Sequence, residues 1–398
     1  MRLRRPVVIV YTVGLFQGLA LVAIPAAATI LQSPAGYDLS SSQYGLLFLP
    51  QVVMAIAGAL SLPGLARRFG LARMLVVGLA ANTAAMSLVL LSATVEGEGS
   101  AYPILLLATT ALGLGFGTTL SCISTYAGSF APDRREVALT ALNVLLGLGT
   151  ALSPLLVSIF VDHAEWWDLP LLAAVGLGVL FVLTLAKPLG EPAEPAELTP
   201  APGGDRPAPR GATRGFWVFA VALVAYGIGE TMFGNWGTTL LVDAGETATR
   251  AGYALAAFWA CVTLGRLLIA VTTRWVRSTA VYLVLPWAIA GALALTASTT
   301  GAHGVLLFGL GGFACSGFFP MTMGYGEGAY PAAVERTAGW LVAAYQVGYG
   351  IAAFGAGAAQ RAVSLPTLFR VAAVIALGMG VLAVVVVRRR GVAATLSG

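Results

Sequence analysis

Long apolar stretches alternate with short polar ones along the whole chain. A helix that crosses a bilayer needs about 20 consecutive apolar residues, and twelve stretches meet that length. They run near 6–31, 43–66, 72–94, 102–129, 136–161 and 169–187, then near 215–242, 250–272, 279–299, 304–329, 337–360 and 366–387. Between the sixth and seventh lies KPLGEPAEPAELTPAPGGDRPAPRGATR, rich in Pro, Ala, Gly and charge. It has no apolar face and reads as a flexible linker. The pattern predicts an all-α membrane protein of 12 transmembrane helices. Residues 1–187 form one six-helix bundle, 188–214 the linker, and 215–398 a second six-helix bundle.

Composition agrees. The 398 residues are 58% hydrophobic and only 10% charged, against roughly 25% charged in a soluble domain. Glycine, at 49 residues, fits helices that approach closely through small side chains. The opening MRLRRPVVIV resembles the start of a signal peptide. No convincing A-x-A cleavage site follows and the apolar run continues past Leu31, so it reads as a retained first span.

Charge orients the chain. With the N-terminus in the cytoplasm, one side of the membrane collects Arg67, Arg68, Arg73, Arg134, Arg135, Lys187, Arg274, Arg277, Arg336 and Arg388 to Arg390. The other side holds only Arg250, Arg361 and Arg370, with acids such as Asp38, Glu96, Glu165 and Glu246. Cytoplasmic loops carry the excess of Arg and Lys, so both termini are expected in the cytoplasm. The net charge of +5 is a topology signal and gives no support for nucleic-acid binding.

The halves repeat. Gly58 precedes Arg67 by nine residues, and Gly265 precedes Arg274 by nine. YAGSFAP (Tyr126 to Pro132) closes the fourth stretch and YGEGAYP (Tyr325 to Pro331) the tenth. Arg135 leads by twelve and fourteen residues to Gly147 and Gly149, as Arg336 does to Gly348 and Gly350. Three landmarks in the same order argue for two parallel repeats.

Polar residues inside the spans are the candidates for function. AYGIGETMFGNW, from Ala225 to Trp236, puts the carboxylate of Glu230 about 22 Å from the arginine-rich end of its helix, at 1.5 Å per residue. A charge at that depth costs on the order of 3 kcal/mol by insertion scales, so such residues default to function. Glu230 is expected to couple a proton or to bind substrate. Gln17, Asn143, Asn235 and Gln346 are amides in spans, and Trp259 offers an aromatic face and an N–H. With Glu230 they make a set suited to holding a small polar solute. Arg266 and Glu327 lie near the arginine-rich ends of two spans and could pair as a gate. Cys122, Cys261 and Cys315 sit in apolar segments without C-x-x-C spacing and read as packing residues. The two histidines, His163 and His303, fall in loops, so no metal site is expected.

These features together resemble the major facilitator superfamily, whose carriers are built from parallel six-helix repeats. The loop PGLARRFGLAR is similar to the family signature G-x-L-A-D-R-x-G-R-K: Leu65, Ala66, Arg68 and Gly70 match, while Pro63 replaces the first Gly and Arg67 replaces the Asp. The resemblance implies a gating role for Arg68 and Gly70. Within the superfamily the chain looks most like the fucose and glucose permease-like branch. Tyr226, Glu230 and Trp236 keep its seventh-helix spacing. Phe258, Trp259, Thr263, Gly265 and Arg266 match its eighth, and Pro320 and Thr322 its tenth. Tyr226 joins the substrate-binding set on this basis. Fucose-type symporters carry acids in helices 1 and 4; here both lack them. The fifth helix is also similar to the drug-antiporter motif G-x-x-x-G-P, with Ser153 before Pro154. Those antiporters have an Arg in helix 4 where Thr109 stands here.

The expected function is secondary transport of a small polar, sugar-like solute by alternating access, proton-coupled through Glu230. The alternative is proton-driven efflux of a drug or secondary metabolite. The expected setting is the cell inner membrane, as a multi-pass monomer in the lipid bilayer, with a co-transported proton and no cofactor. A membrane enzyme would need a cluster of catalytic acids, histidines or metal ligands, which the sequence lacks.

Overall fold

The computed structural model describes residues 5–131, 134–163, 165–190, 210–272, 275–299, 303–330 and 334–396. Among them every regular element is helical. Twelve helices are long and apolar enough to cross a membrane. Spans 1 to 6 are Arg5–Leu31, Ser41–Phe69, Leu71–Ala93, Ala101–Phe130, Val137–Phe160 and Asp168–Ala186. Spans 7 to 12 are Gly215–Asp243, Ala248–Thr272, Ser278–Thr296, Gly304–Ala329, Thr337–Ala359 and Leu365–Arg388. Most of the expected linker, residues 191–209, lies outside the described residues, as does Arg274.

The chain divides into two compact units. Unit 1 holds 1–27, 34–38 and 50–208; unit 2 holds 28–33, 39–49 and 209–398. In unit 1, span 3 packs on spans 4 and 6, and span 1 on spans 4, 5 and 6. Unit 2 repeats the arrangement: span 9 packs on spans 10 and 12, span 7 on spans 10, 11 and 12, and span 8 on span 10. The repeat read from three sequence landmarks is thus a repeat of helix neighbours.

Glycine explains the closest of these contacts. Lipid tails are as apolar as leucine, so helices associate through close packing rather than through exclusion of water. A Cβ on Gly18 of span 1 would strike the backbone at Leu146, Gly149 and Thr150 of span 5, and one on Gly149 would strike Leu15 and Gly18 in return. In unit 2, Gly227 lies against the Tyr345 carbonyl, and Gly348 against the Val224 carbonyl. That pairing draws span 11 onto span 7 beside Glu230.

The side turned from the neighbours is apolar. Val175, Val179 and Val182 of span 6 are 56%, 54% and 58% exposed, a stripe at helical spacing that lipid covers. Gly70, with φ of 86°, makes the turn from span 2 into span 3. A side chain is strained in that left-handed region, which accounts for the glycine in the PGLARRFGLAR loop.

Four spans are interrupted: span 1 at Ala27, between Arg5–Ala26 and Ala28–Leu31, span 2 at Leu47, between Ser41–Leu46 and Phe48–Phe69, and spans 7 and 10. Span 7 is helical over Arg210–Thr231, takes a π-helical turn at Met232–Trp236, and resumes at Gly237–Asp243. Span 10 ends one helix at Cys315 and begins another at Phe318. Such breaks release backbone groups at membrane depth, where each must find a partner.

Candidate functional site

Glu230 stands two residues before the π-helical turn and is 4% exposed. Its two carboxyl oxygens meet two tyrosines. Tyr226, one helical turn earlier on the same span, lies 2.6 Å from Oε1, and the Tyr345 hydroxyl of span 11 donates to Oε2 at 2.6 Å. Among the described residues, an ion pair joins Arg250 to Glu246 at 3.2 Å, and the partners shown for the Glu230 carboxyl are the two tyrosines. The Tyr226 hydroxyl also lies 2.8 Å from the Cys315 carbonyl oxygen. The rings pack around it: Tyr226 on Phe318 at 5.8 Å, Tyr345 edge-on to Phe319 at 5.0 Å, and Phe318 on Tyr282 at 4.8 Å.

The break in span 10 explains the aromatic girdle. Four carbonyls around the break have partners. The Phe313 carbonyl accepts from the Ser316 N–H at 3.3 Å and the Ser316 hydroxyl at 2.7 Å. Cys315 faces Tyr226, Ser316 accepts from Arg266 Nε at 3.3 Å, and Gly317 accepts from the Met321 N–H at 3.1 Å. Gly265 makes room, since a Cβ there would collide with the Ser316 side chain. The Gly265–Arg266 pair of span 8 therefore clasps the break from outside, glycine by leaving space and arginine by donating. Arg266 Nε is engaged at Ser316; the gating pair of Arg266 with Glu327 remains an expectation of the sequence.

The bend in span 7 is tied down in the same way. The Trp236 indole N–H donates to the Ala352 carbonyl at 3.1 Å, and Asn235 Nδ2 donates to the Tyr349 hydroxyl at 3.2 Å. Within unit 2, Tyr44 donates to the Asn235 carbonyl at 3.1 Å and stands edge-on to Trp236 at 5.1 Å. The ring of Trp259 lies against Gly234, and its indole N–H has no hydrogen-bond partner.

In unit 2, Tyr226 meets Glu230, Asn235 lies in the π-helical turn of the same span with the Trp259 ring against the neighbouring Gly234, and Gln346, 9% exposed, follows Tyr345 on span 11. Gln17 and Asn143 belong to unit 1. Gln17 is fully buried there and exchanges hydrogen bonds with Asn82 of span 3: Asn82 Nδ2 donates to Gln17 Oε1 at 2.6 Å and to Thr119 at 3.1 Å. Asn143 is exposed and donates to its own helix at Leu139. Arg68 lies over the Phe69 ring at 5.1 Å, and Gly70 is the turn already described.

Sequence reasoning missed Asn82 and the Cys315 and Ser316 carbonyls as site groups. Asn82 was visible as a polar group in an apolar run; the carbonyls carry no sequence signal. Unit 1 also holds an open cavity of about 420 Å³ between spans 1 and 5, lined by Val7, Val8, Leu15, Ala141 and Leu145 with Tyr11 and Thr12. It is almost wholly apolar, because Tyr11 spends its hydroxyl on the Ala138 carbonyl at 3.0 Å. Among the described residues, no group of three or more His, Cys, Asp or Glu could hold a metal ion.

Twelve spans in two repeated six-helix bundles, with spans 7 and 10 broken in one bundle, define a multi-pass membrane transporter rather than an enzyme. The chain belongs to the Major Facilitator Superfamily, whose family model matches residues 7–300. Among solved structures, its fold is similar to that of a mutant of the nucleoside transporter NupG. The TM-score is 0.73 over 96% of this chain and 98% of that one, at 12% identity. No curated protein matches the sequence.

Proposed function

We propose that the chain moves a small polar solute across the cell inner membrane by alternating access, coupled to a proton through Glu230. The observation that carries this reading is the Glu230 carboxyl: buried at membrane depth, held by two tyrosines, without a cation partner among the described residues. An ionisable group at membrane depth defaults to function, here the uptake of a proton or a ligand. The discontinuity of spans 7 and 10 beside it supports the same reading, since transporters place substrate and ion sites at broken helices. Tyr226, Asn235, Trp259 and Gln346 supply hydroxyl, amide and aromatic faces for a sugar-like solute. The NupG likeness adds nucleosides, which carry a sugar, to the classes to screen. The arginine-rich side faces the cytoplasm, and the working unit is a monomer.

The test is transport in proteoliposomes with a pH-sensitive dye inside, screening hexoses, deoxyhexoses and nucleosides. Solute-dependent acidification that vanishes in Glu230→Gln supports the reading. Solute movement without protons, unchanged in that variant, makes Glu230 structural and the carrier a facilitator.

A second reading has one observation in its favour. The unit 1 cavity is apolar, and Gln17, expected to face solute, is consumed by Asn82. That lining suits an apolar drug or secondary metabolite leaving the cell. Proton-coupled movement of apolar cations, with no response to sugars or nucleosides, would select it.

A further inference from the structure

We propose that Glu230 and Arg266 are the two poles of one binding site, and that the solute they receive is a zwitterion with its ammonium group at Glu230 and its carboxylate at Arg266. This rests on the reading of the chain as a carrier of a small polar solute and narrows that solute to one bearing both charges.

The break in span 10 brings the two side chains to one place through consecutive carbonyls. The Cys315 carbonyl meets the Tyr226 hydroxyl at 2.8 Å, and that hydroxyl is shared with the Glu230 carboxyl at 2.6 Å. The next carbonyl, of Ser316, accepts from Arg266 Nε at 3.3 Å. Span 8 also borders the acid from its other end. Trp259, Thr263 and Arg266 follow one another at four and three residues, which puts them on one helix face. The Trp259 ring lies against Gly234, four residues after Glu230 on span 7, while Arg266 lies at the break in span 10. The Arg266 charge is near enough to act on Tyr226, Tyr345 and Cys315, the groups around the acid.

These charges are more than the fold uses. The partners shown for the Glu230 carboxyl are two tyrosine hydroxyls, and the partner shown for Arg266 is a backbone carbonyl. Neutral groups hold both charges. A carbonyl needs one N–H, which a neutral amide supplies, whereas a guanidinium at membrane depth is costly. Arg266 is half-buried and stands six residues, about 9 Å, in from the end of span 8 at Thr272. One of its five N–H groups is at Ser316, and the fork of terminal nitrogens matches a carboxylate. The Glu230 carboxylate has about four lone-pair sites; the tyrosines take two, and an ammonium group fits the rest. Phe319 and Tyr345, edge-on to each other at 5.0 Å and both half-buried, add ring faces that attract a cation.

The low dielectric selects the zwitterion. A solute with a single charge completes one pole and leaves the other uncompensated away from water. A neutral solute completes neither. A solute with both charges completes both and carries no net charge into the membrane.

The test is binding, then movement. The thermal midpoint of the full-length protein in detergent is measured at neutral pH with glycine, glutamine and tyrosine as zwitterions, ethanolamine as a cation, glycolate as an anion, and glucose and uridine as neutral solutes. At least one of the three zwitterions should raise the midpoint, and ethanolamine and glycolate should not. Arg266→Gln removes one pole and keeps an N–H for the Ser316 carbonyl. Affinity for that zwitterion should fall by roughly 30-fold or more, and ethanolamine should now raise the midpoint. Glu230→Gln should lose the zwitterion by a similar factor and gain glycolate. A misfolded protein cannot show these gains, and Arg266→Lys, which keeps the charge, should still prefer the zwitterion to ethanolamine. A midpoint that none of the three zwitterions moves overturns the proposal, as does a zwitterion bound equally by the wild type and Arg266→Gln. Loss of the zwitterion in both variants with neither gain assigns the two residues to folding and also overturns it. Counterflow in proteoliposomes separates the site from the carrier. Proton-coupled movement of glucose or uridine with no zwitterion bound removes the two-pole site and leaves the transport reading standing. A zwitterion that binds through both poles and does not cross the liposome membrane leaves the site standing and removes the carrier.

Discussion

Tyr345 reaches Glu230 from span 11 and closes the side of the carboxyl that Tyr226, on the acid's own helix, leaves open; each hydroxyl lies 2.6 Å from a different carboxyl oxygen. The contact exists because Gly227 and Gly348 let the two backbones touch. Removing the hydroxyl in Tyr345→Phe leaves a buried oxygen without its donor, which costs about 1–3 kcal/mol. The thermal midpoint in detergent should fall, and proton-coupled transport should weaken. An unchanged midpoint would show that the contact holds nothing.

Gly348→Ala tests the close approach itself. Its Cβ would meet the Val224 carbonyl, which is backbone and cannot turn aside. Overpacking of this kind costs about 1–3 kcal/mol, and the variant should also lose transport as Tyr345 is pushed from Glu230. Gly378→Ala, where nothing lies within 4 Å, is the control. It should be neutral or stabilising by up to about 1 kcal/mol, from the helix preference of alanine. Equal midpoints for the two variants would refute the packing argument.

Asn82→Leu should act on unit 1 and not on solute recognition. It strands Gln17, which is 0% exposed and bonded to Asn82, at a cost of about 1–3 kcal/mol. The expected result is a lower thermal midpoint with an unchanged KM for whatever solute the screen finds. A raised KM at unchanged stability would return Gln17 to the binding site.

Glu96, in the loop between spans 3 and 4, gives a pH dependence of known sign. Burial of its carboxyl raises its pKa above the ordinary 4.5, and the charge of Glu165 adds to the rise. The folded state therefore holds this proton more tightly than the unfolded state. The associated stability is fully present below 4.5 and is lost as pH rises through the raised folded value. Glu96→Gln, which stays neutral, should match the wild-type midpoint at acid pH and exceed it at neutral pH. A difference that does not change with pH would assign the effect to shape rather than charge.

The number of spans, their limits to within a few residues, and the repeat were all legible in the sequence. Bilayer thickness sets helix length, and a run of apolar side chains is a local property. Glu230 was legible for the same reason, since one acid in an apolar run stands out without any knowledge of its neighbours. Its partners were not. Tyr226 could be found one helical turn away, but Tyr345 lies 115 residues distant and meets the acid only because two glycines bring spans 7 and 11 together. Gln17 shows the converse. Its sequence position marks a buried amide, yet whether that amide faces a solute or Asn82 depends on how span 3 rotates against span 1. The carbonyls of Cys315 and Ser316 lie furthest from the sequence, because every residue has one. Which carbonyls are released at membrane depth, and which side chains satisfy them, was decided only when span 10 broke against Gly265, Arg266 and Tyr226.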